Sequence, residues 1–490
     1  MAAPVLNCVG TRTMHVLFVE DNKTFAEAIA SSLRKTPGST VTVAASRDSA
    51  MSALREQFFD ILVLDLGIPT RDDGLDIAPE HGQTVFYEAL NSCPGTPIFI
   101  LTGSEPDAFA LSLARLGNQI DLWGTGHPIA TIDYRTKESA DQLLDSMNMF
   151  AKEIATTDAI TIDTRGRKID LSVELRRALK VFTRAHGGVS CEIQRVGGGL
   201  SGALTLRMSV KDEQAHDRLL CIAKLGSAQD VQCENDAFEQ HVKLLRIGAA
   251  TPLLKHINRG LRGFAGVFYS LAEDHDETLF DVIAKRPQAV APILHAVRAG
   301  MERWPGAGTM RQVKVQEIRR RLLSDGALAE IQKKFDLPEI AAVEELEVRA
   351  HSACIHGDLH GGNILISNKD APILIDFGDV GPGFSCIDPI TLELSMIFHP
   401  DSNQNGVAQS LLGRIHDWPD IESYCTQNPL SPVIEACRDW AHDQGGSDGA
   451  VLAAGYAFAV RQLKYETVDP QVTTGLIRAI STKLVHHVRR

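Results

Sequence analysis

The segment His356-Gly-Asp-Leu-His-Gly-Gly-Asn363 places a carboxylate, Asp358, five residues before a neutral amide, Asn363. Asp376 follows in Ile-Asp-Phe-Gly, eighteen residues beyond Asp358. A carboxylate can take the proton of an attacking hydroxyl, while an amide oxygen and a second carboxylate can hold Mg2+ against phosphate oxygens. Upstream, Lys224 closes the apolar run Cys-Ile-Ala, and Glu234 lies ten residues further on, with Glu239 as a fallback partner. A lysine–glutamate pair in these positions would aim an ammonium at nucleotide phosphates. Gly197, Gly199 and Gly202 form G-x-G-x-x-G, which is weak evidence alone. Its context disfavours a dinucleotide loop, because a strand-like run (Ala203-Leu-Thr-Leu-Arg-Met) follows instead of a helix. A glycine loop inside a hairpin lets backbone amides close over the phosphates of ATP.

A second set lies nearer the N-terminus: Glu20 and Asp21, Asp65, Thr102 and Lys137. Three carboxylates gathered at one sheet edge repel one another unless a hard cation sits among them, and Mg2+ fits such a set. Asp65 could then attack a phosphoryl group to form an acyl phosphate. Thr102 could hydrogen-bond the new phosphate, and Lys137 could neutralise its charge.

The elements that must position these residues are legible as periodicities. Apolar runs at His15–Val19, Val41–Ala44, Ile61–Leu64, Ile98–Leu101 and Thr131–Tyr134 alternate with helical patterns at Thr24–Lys35, Ser49–Gln57 and Thr84–Asn91. Strand and helix in alternation predict a parallel sheet covered on both faces, with chemistry at the carboxyl ends of its strands. An amphipathic helix over Glu138–Ala155 closes this part, the polar stretch Thr156–Lys168 reads as a linker, and a helix over Leu171–His186 follows. From Cys191 the pattern becomes a β-hairpin, a third strand at Leu219–Ala223, a helix over Glu234–Ile247 and a strand at Gly266–Leu271. Beyond Thr278 the chain reads as mostly helical, apart from Ile355–Asp376.

The first set resembles the receiver domain of bacterial response regulators. The matching residues are Glu20 and Asp21 in Val-Glu-Asp-Asn, Asp65 in Leu-Val-Leu-Asp-Leu, Thr102 in Ile-Leu-Thr-Gly-Ser and Lys137 in Tyr-Arg-Thr-Lys. The resemblance covers roughly the first 150 residues. It implies Asp65 as phosphoacceptor, a partner histidine kinase as phosphodonor, and a surface through which receivers commonly pair as homodimers. The chain departs from the pattern in a long loop from Gly67 to Gln83, a long stretch from Gly103 to Ala130, and Glu138 where receivers usually carry proline.

The other set, through His-Gly-Asp-Leu-His-x-x-Asn, resembles the aminoglycoside phosphotransferase and choline kinase superfamily over about Cys191 to Met396. Glycine in place of arginine after His356, and the lack of an Ala-Pro-Glu segment after Asp376, separate it from ordinary protein kinases. The resemblance implies ATP and Mg2+, with Asp358 as base, Asn363 and Asp376 on the metal, and Gly197, Gly199, Gly202, Lys224 and Glu234 on the nucleotide. It also implies a further acidic position at Asp388, while His356 and His360 are expected to order the loop.

The expected fold is therefore an α/β doubly wound parallel sheet, a flavodoxin-like receiver, followed by a bilobal α+β protein kinase-like fold. Expected boundaries are 14–155 for the receiver, 156–187 for a linker and connecting helix, and 188–490 for the kinase-like domain, with lobes at about 188–273 and 274–490. The expected function is receiver-regulated transfer of the ATP γ-phosphoryl group to a hydroxyl of a small molecule or protein. The alternatives are a catalytically weak nucleotide-binding signalling module and an atypical protein kinase. A net charge of −13 disfavours nucleic acid as a partner. No apolar run is long enough for a bilayer, no signal peptide is visible, and nine scattered cysteines without a CxxC pair fit a reduced, cytoplasmic setting.

Overall fold

A computed structural model describes residues 14–103, 109, 119–196, 203–272, 274–403 and 411–488. The described residues divide into two compact units, one drawn from 14–196, 203–232 and 254–270, the other from 233–253 and 271–488.

The first unit opens with β1 (Met14–Val19), α1 (Lys23–Arg34), β2 (Ser39–Ala44), α2 (Arg47–Glu56), β3 (Ile61–Leu64), α3 (Pro79–Ser92) and β4 (Ile98–Thr102). A two-stranded ribbon, β5 (Gln119–Ile120) and β6 (Ile129–Ala130), precedes β7 (Ile132–Thr136) and α4 (Ala140–Asp158). The main sheet is parallel in the order β2-β1-β3-β4-β7. Alternate residues of β1 serve opposite faces, as strand geometry requires. Val16 and Phe18 pack with Ile29 and Leu33 of α1 and Leu143 and Met147 of α4. Leu17 and Val19 pack with Leu54 of α2 and Val85 and Phe86 of α3. Both faces are thus covered, which explains the unbroken apolar runs in the central strands.

The stretch Thr156–Lys168 differs from the linker expected. Thr161–Asp163 is β8, which pairs in parallel with β9 (Ser190–Arg195). Ile162 is the reason, because it packs on the apolar cluster beneath the second sheet. That sheet is completed by β10 (Leu204–Lys211), β11 (Asp217–Ser227), β12 (Leu253–Ile257) and β13 (Phe264–Ser270), in the order β12-β13-β11-β10-β9-β8. Helix α5 (Val173–Ala185), capped by the Ser172 hydroxyl, lies on it, with Phe182 stacked on Phe268 at 3.9 Å between ring centroids. The helix expected to open at Glu234 begins earlier, as α6 (Ala228–Gln240), because the Ser227 hydroxyl accepts the Asp230 N–H and caps it.

The second unit is not purely helical outside Ile355–Asp376. β14 (Glu277–Thr278), β17 (Ile364–Ile366) and β18 (Pro372–Leu374) form one three-stranded sheet. β15 (Thr309–Lys314), β16 (Glu347–Ile355) and β19 (Gly381–Phe384) form another, which the sequence reading missed. Helices α7 (Leu279–Lys285), α8 (Ile387–Phe398) and α9 (Asp448–Gln462) pack around them. α8 is buried on every side, and its Glu393 carboxylate is neutralised in the core by Arg438 and hydrogen-bonded by the Trp418 indole at 2.7 Å. Among the described residues no helix is long and apolar enough to cross a membrane.

Candidate functional sites

In the first unit, Glu20 and Asp21 follow β1, Asp65 follows β3, and Lys137 follows β7. Parallel order places these ends side by side. Oxygens of Glu20, Asp21 and Asp65 lie within 4.8 Å of one another, a set of hard donors that suits Mg2+. Lys137 Nζ stands 2.7 Å from both Glu20 Oε2 and Asp65 Oδ2. Burial opposes the Lys137 charge, but hydrogen bonds to Asp65 and Glu20 outweigh it and hold its pKa above the ordinary lysine value. Glu20 is almost fully buried, and desolvation raises its pKa despite Lys137. The Gly67 N–H donates to Asp65 Oδ1. Gly82 lets α3 close on this loop, because a Cβ there would collide with the Leu66 backbone. Thr102 is the last residue of β4, and its side chain lies outside the described residues.

In the second sheet, Lys224 sits on the central strand β11, paired with Thr205 on one side and Val267 on the other, and is buried. Gly197, Gly199 and Gly202 lie outside the described residues.

In the second unit, Glu234 is buried midway along α6 rather than at its start. The same helix carries Phe238, whose ring lies 5.8 Å from that of Phe377, the residue after Asp376. The loop His356–Asn363 is stitched to Ile375, which follows β18 and precedes Asp376. Asn363 Nδ2 donates to the Asp358 carbonyl at 2.9 Å, which leaves its amide oxygen pointing elsewhere as a possible ligand. The Ile375 N–H donates to the Asn363 carbonyl at 3.1 Å, and His356 Nε2 meets the Ile375 carbonyl at 3.2 Å. Asp376 takes the left-handed conformation, φ 65°, a strained state for a non-glycine residue.

Asp388, at the start of α8, accepts the N–H groups of His356 and Gly357 at 2.8 and 2.9 Å. It is completely enclosed, and desolvation raises its pKa. Gly357 occupies φ 84°, and a Cβ there would run into the Asp379 carbonyl, so the glycine that replaces arginine has a backbone reason. His360 orders the loop through Nδ1, which accepts the Gly362 N–H at 3.1 Å, and burial pushes its pKa down to about 4. Its ring stacks on His399 at 4.3 Å. One contact was not anticipated. Arg461 Nη1 reaches Asp358 Oδ1 at 3.0 Å from α9, about a hundred residues away in sequence, where no local motif signals it.

A carboxylate cluster at the strand ends of a doubly wound sheet, and a loop that ties Asp358 and Asn363 to the segment before Asp376, are two separate sites among the described residues. Residues 16–119 match the response regulator receiver domain model, and residues 192–407 match that of the phosphotransferase enzyme family. The chain thus carries one domain of each family.

Similar solved structures include the receiver domain of the Francisella response regulator 1452, at 23% identity and TM-score 0.22, covering 29% of this chain and 98% of that one. Another is a CheY-like receiver domain protein from Methanospirillum hungatei, at 16% identity and TM-score 0.22, with 29% and 98% covered. An apo thermostable mutant of aminoglycoside phosphotransferase APH(4)-Ia matches at 13% identity and TM-score 0.36, covering 59% of this chain and 94% of that one. No curated protein matches the chain.

Proposed function

We propose that the chain is an ATP-dependent phosphotransferase that moves the γ-phosphoryl group to a hydroxyl and is regulated by phosphorylation of Asp65. The observation that carries this reading is the stitched loop, in which Asp358, Asn363 and the segment leading to Asp376 are tied by backbone and amide hydrogen bonds. Asp358 would accept the proton of the acceptor hydroxyl. Burial opposes its charge, but the Arg461 guanidinium holds its pKa below the ordinary aspartate value, so it stands ionised. The Asn363 amide oxygen and the Asp376 carboxylate would hold Mg2+, which when bound draws charge from the β- and γ-phosphate oxygens. Lys224 would neutralise nucleotide phosphates, and Glu234 is carried over as the acidic residue of that motif. ATP turnover by wild type and by Asp358→Ala tests the catalytic part; equal rates would refute it.

In the receiver, Asp65 would attack a phosphodonor, with a histidine kinase as the expected partner, while Glu20, Asp21 and Asp65 hold Mg2+. Lys137 already bridges Glu20 and Asp65 and would be drawn onto the new phosphate. That exchange of partners is the local charge change from which regulation would start. Mass spectrometry after incubation with acetyl phosphate and Mg2+ tests it. A phosphoryl group found on Asp65→Asn as readily as on wild type would remove this acceptor.

A further inference from the structure

The proposed base does not stand alone. Arg461 comes from the last turn of α9, whose residues from Gly449 to Val460 are all buried, so core packing fixes where the guanidinium emerges. Nη1 donates to Asp358 Oδ1 at 3.0 Å, and Tyr465 is a second hydrogen-bonding partner. A guanidinium carries five N–H donors, more than these two partners can take up. Its side chain keeps 19% of its surface exposed and that of Asp358 keeps 31%, so the pair is open to an incoming molecule.

Positioning alone does not call for this charge. The backbone of Asp358 is already held by the His360 N–H and the Asn363 amide, both bonded to its carbonyl. A cation beside a general base works against proton abstraction, because it stabilises the carboxylate. A neutral donor would orient the same carboxylate without that penalty. The charge is useful if the acceptor itself brings a negative group next to its hydroxyl.

Resting on the phosphotransferase reading above, we infer that Arg461 is a specificity residue that recognises an anionic group, a carboxylate or phosphate, on the acceptor alcohol. In the resting enzyme Asp358 occupies part of its donor set. When the acceptor binds, its anion takes donors of the planar fork, and its hydroxyl is left beside Asp358. The neighbouring rings do not supply competing charge, since burial lowers the pKa of both His360 and His399. Asp401, 3.8 Å from His399, is the acidic group on that side. A polycationic acceptor would instead bring its ammonium groups against a guanidinium.

The test uses the full chain with Mg2+ and four alcohols that differ in charge: glycerol, D-glycerate, glycerol 3-phosphate and kanamycin. Binding is measured by calorimetry with a non-hydrolysable ATP analogue present, and transfer is measured with ATP. At least one of the two anions should bind more tightly than glycerol and kanamycin by about ten- to hundred-fold, the range expected for charge-assisted hydrogen bonds. Arg461→Gln should remove most of that advantage, as a rise in KM that exceeds the fall in kcat, and Arg461→Lys should restore part of it. Tightest binding of kanamycin, equal binding of all four, or an Arg461→Gln defect confined to kcat for every acceptor would overturn the assignment. Absence of Asp358-dependent ATP turnover would instead strike the phosphotransferase reading, while the binding arm still reports on Arg461.

Discussion

Arg177 Nη2 donates to Asp60 Oδ1 at 2.9 Å with both side chains buried, joining the helix on the second sheet to the residue just before β3 of the receiver. Asp60 is also bound by the His15 N–H, and Asp158 lies 3.7 Å from the same guanidinium nitrogen. The turn before β13 touches the receiver as well, through the Gly260 N–H on the Pro94 carbonyl and through Leu122 packed on Gly260. Asp65 and Lys224 therefore belong to one compact unit, with α5 between their sheets. Removing one partner of a buried ion pair leaves the other uncompensated. Arg177→Ala should therefore destabilise this unit by about 3–5 kcal/mol in denaturant unfolding. A loss below about 1 kcal/mol, the value of a surface pair, would show that the bridge is not a structural joint.

Lys137 makes a second prediction. It neutralises Glu20 and Asp65 in the resting receiver, and Lys137→Ala would leave three carboxylates facing one another. The variant should bind Mg2+ at least as well as wild type, since a competing cation has gone, yet lose the response of the second sheet to Asp65 phosphorylation. Hydrogen exchange of α5 with and without acetyl phosphate would show it. An unchanged response in the variant would place the switch elsewhere.

Asp388 accepts the buried backbone N–H groups of His356 and Gly357. Asp388→Ala should cost roughly 1–3 kcal/mol for each buried donor left unsatisfied. It should also lower turnover, because His356 and Gly357 fix the approach to Asp358. Thermal melts and ATP turnover measured on the same preparation would check both; a stable variant with full turnover would contradict the capping role.

These relationships divide into what the sequence could and could not reveal. Glu20, Asp21, Asp65 and Lys137 were legible because each ends a strand, and a parallel sheet brings strand ends together whatever the loops do. Asp358, Asn363 and Asp376 were legible because their spacing is local. β8 was not, since one half-buried isoleucine in a three-residue strand has no period to detect. β15 and β16 were missed because their pairing spans the helical segments between Lys314 and Glu347. Ser227 with Asp230 was a readable cap, and it would have corrected the start of α6. Arg461 and Arg177 were invisible for one reason: their partners lie about a hundred residues away, and only the packed fold joins them.

His360 gives a pH dependence. Burial moves its pKa from the ordinary 6.5 to about 4, so the folded state holds fewer protons than the unfolded chain between those values. Stability from the neutral imidazole is full above about pH 6.5 and is lost as pH falls toward 4, by about 3 kcal/mol at most. Denaturation of wild type at pH 7 and pH 4.5 should show a larger acid loss than His360→Asn. Equal losses would mean that the ring is protonated without strain.

The central claim is that Asp65 phosphorylation governs phosphoryl transfer at Asp358. The most direct measurement is the single-turnover rate of ATP consumption with and without acetyl phosphate, for wild type, Asp65→Asn and Asp358→Asn. The account predicts a rate that acetyl phosphate changes in wild type, a rate it does not change in Asp65→Asn, and no turnover in Asp358→Asn. Turnover that persists in Asp358→Asn, or a wild-type rate indifferent to acetyl phosphate while Asp65 is phosphorylated, would contradict it.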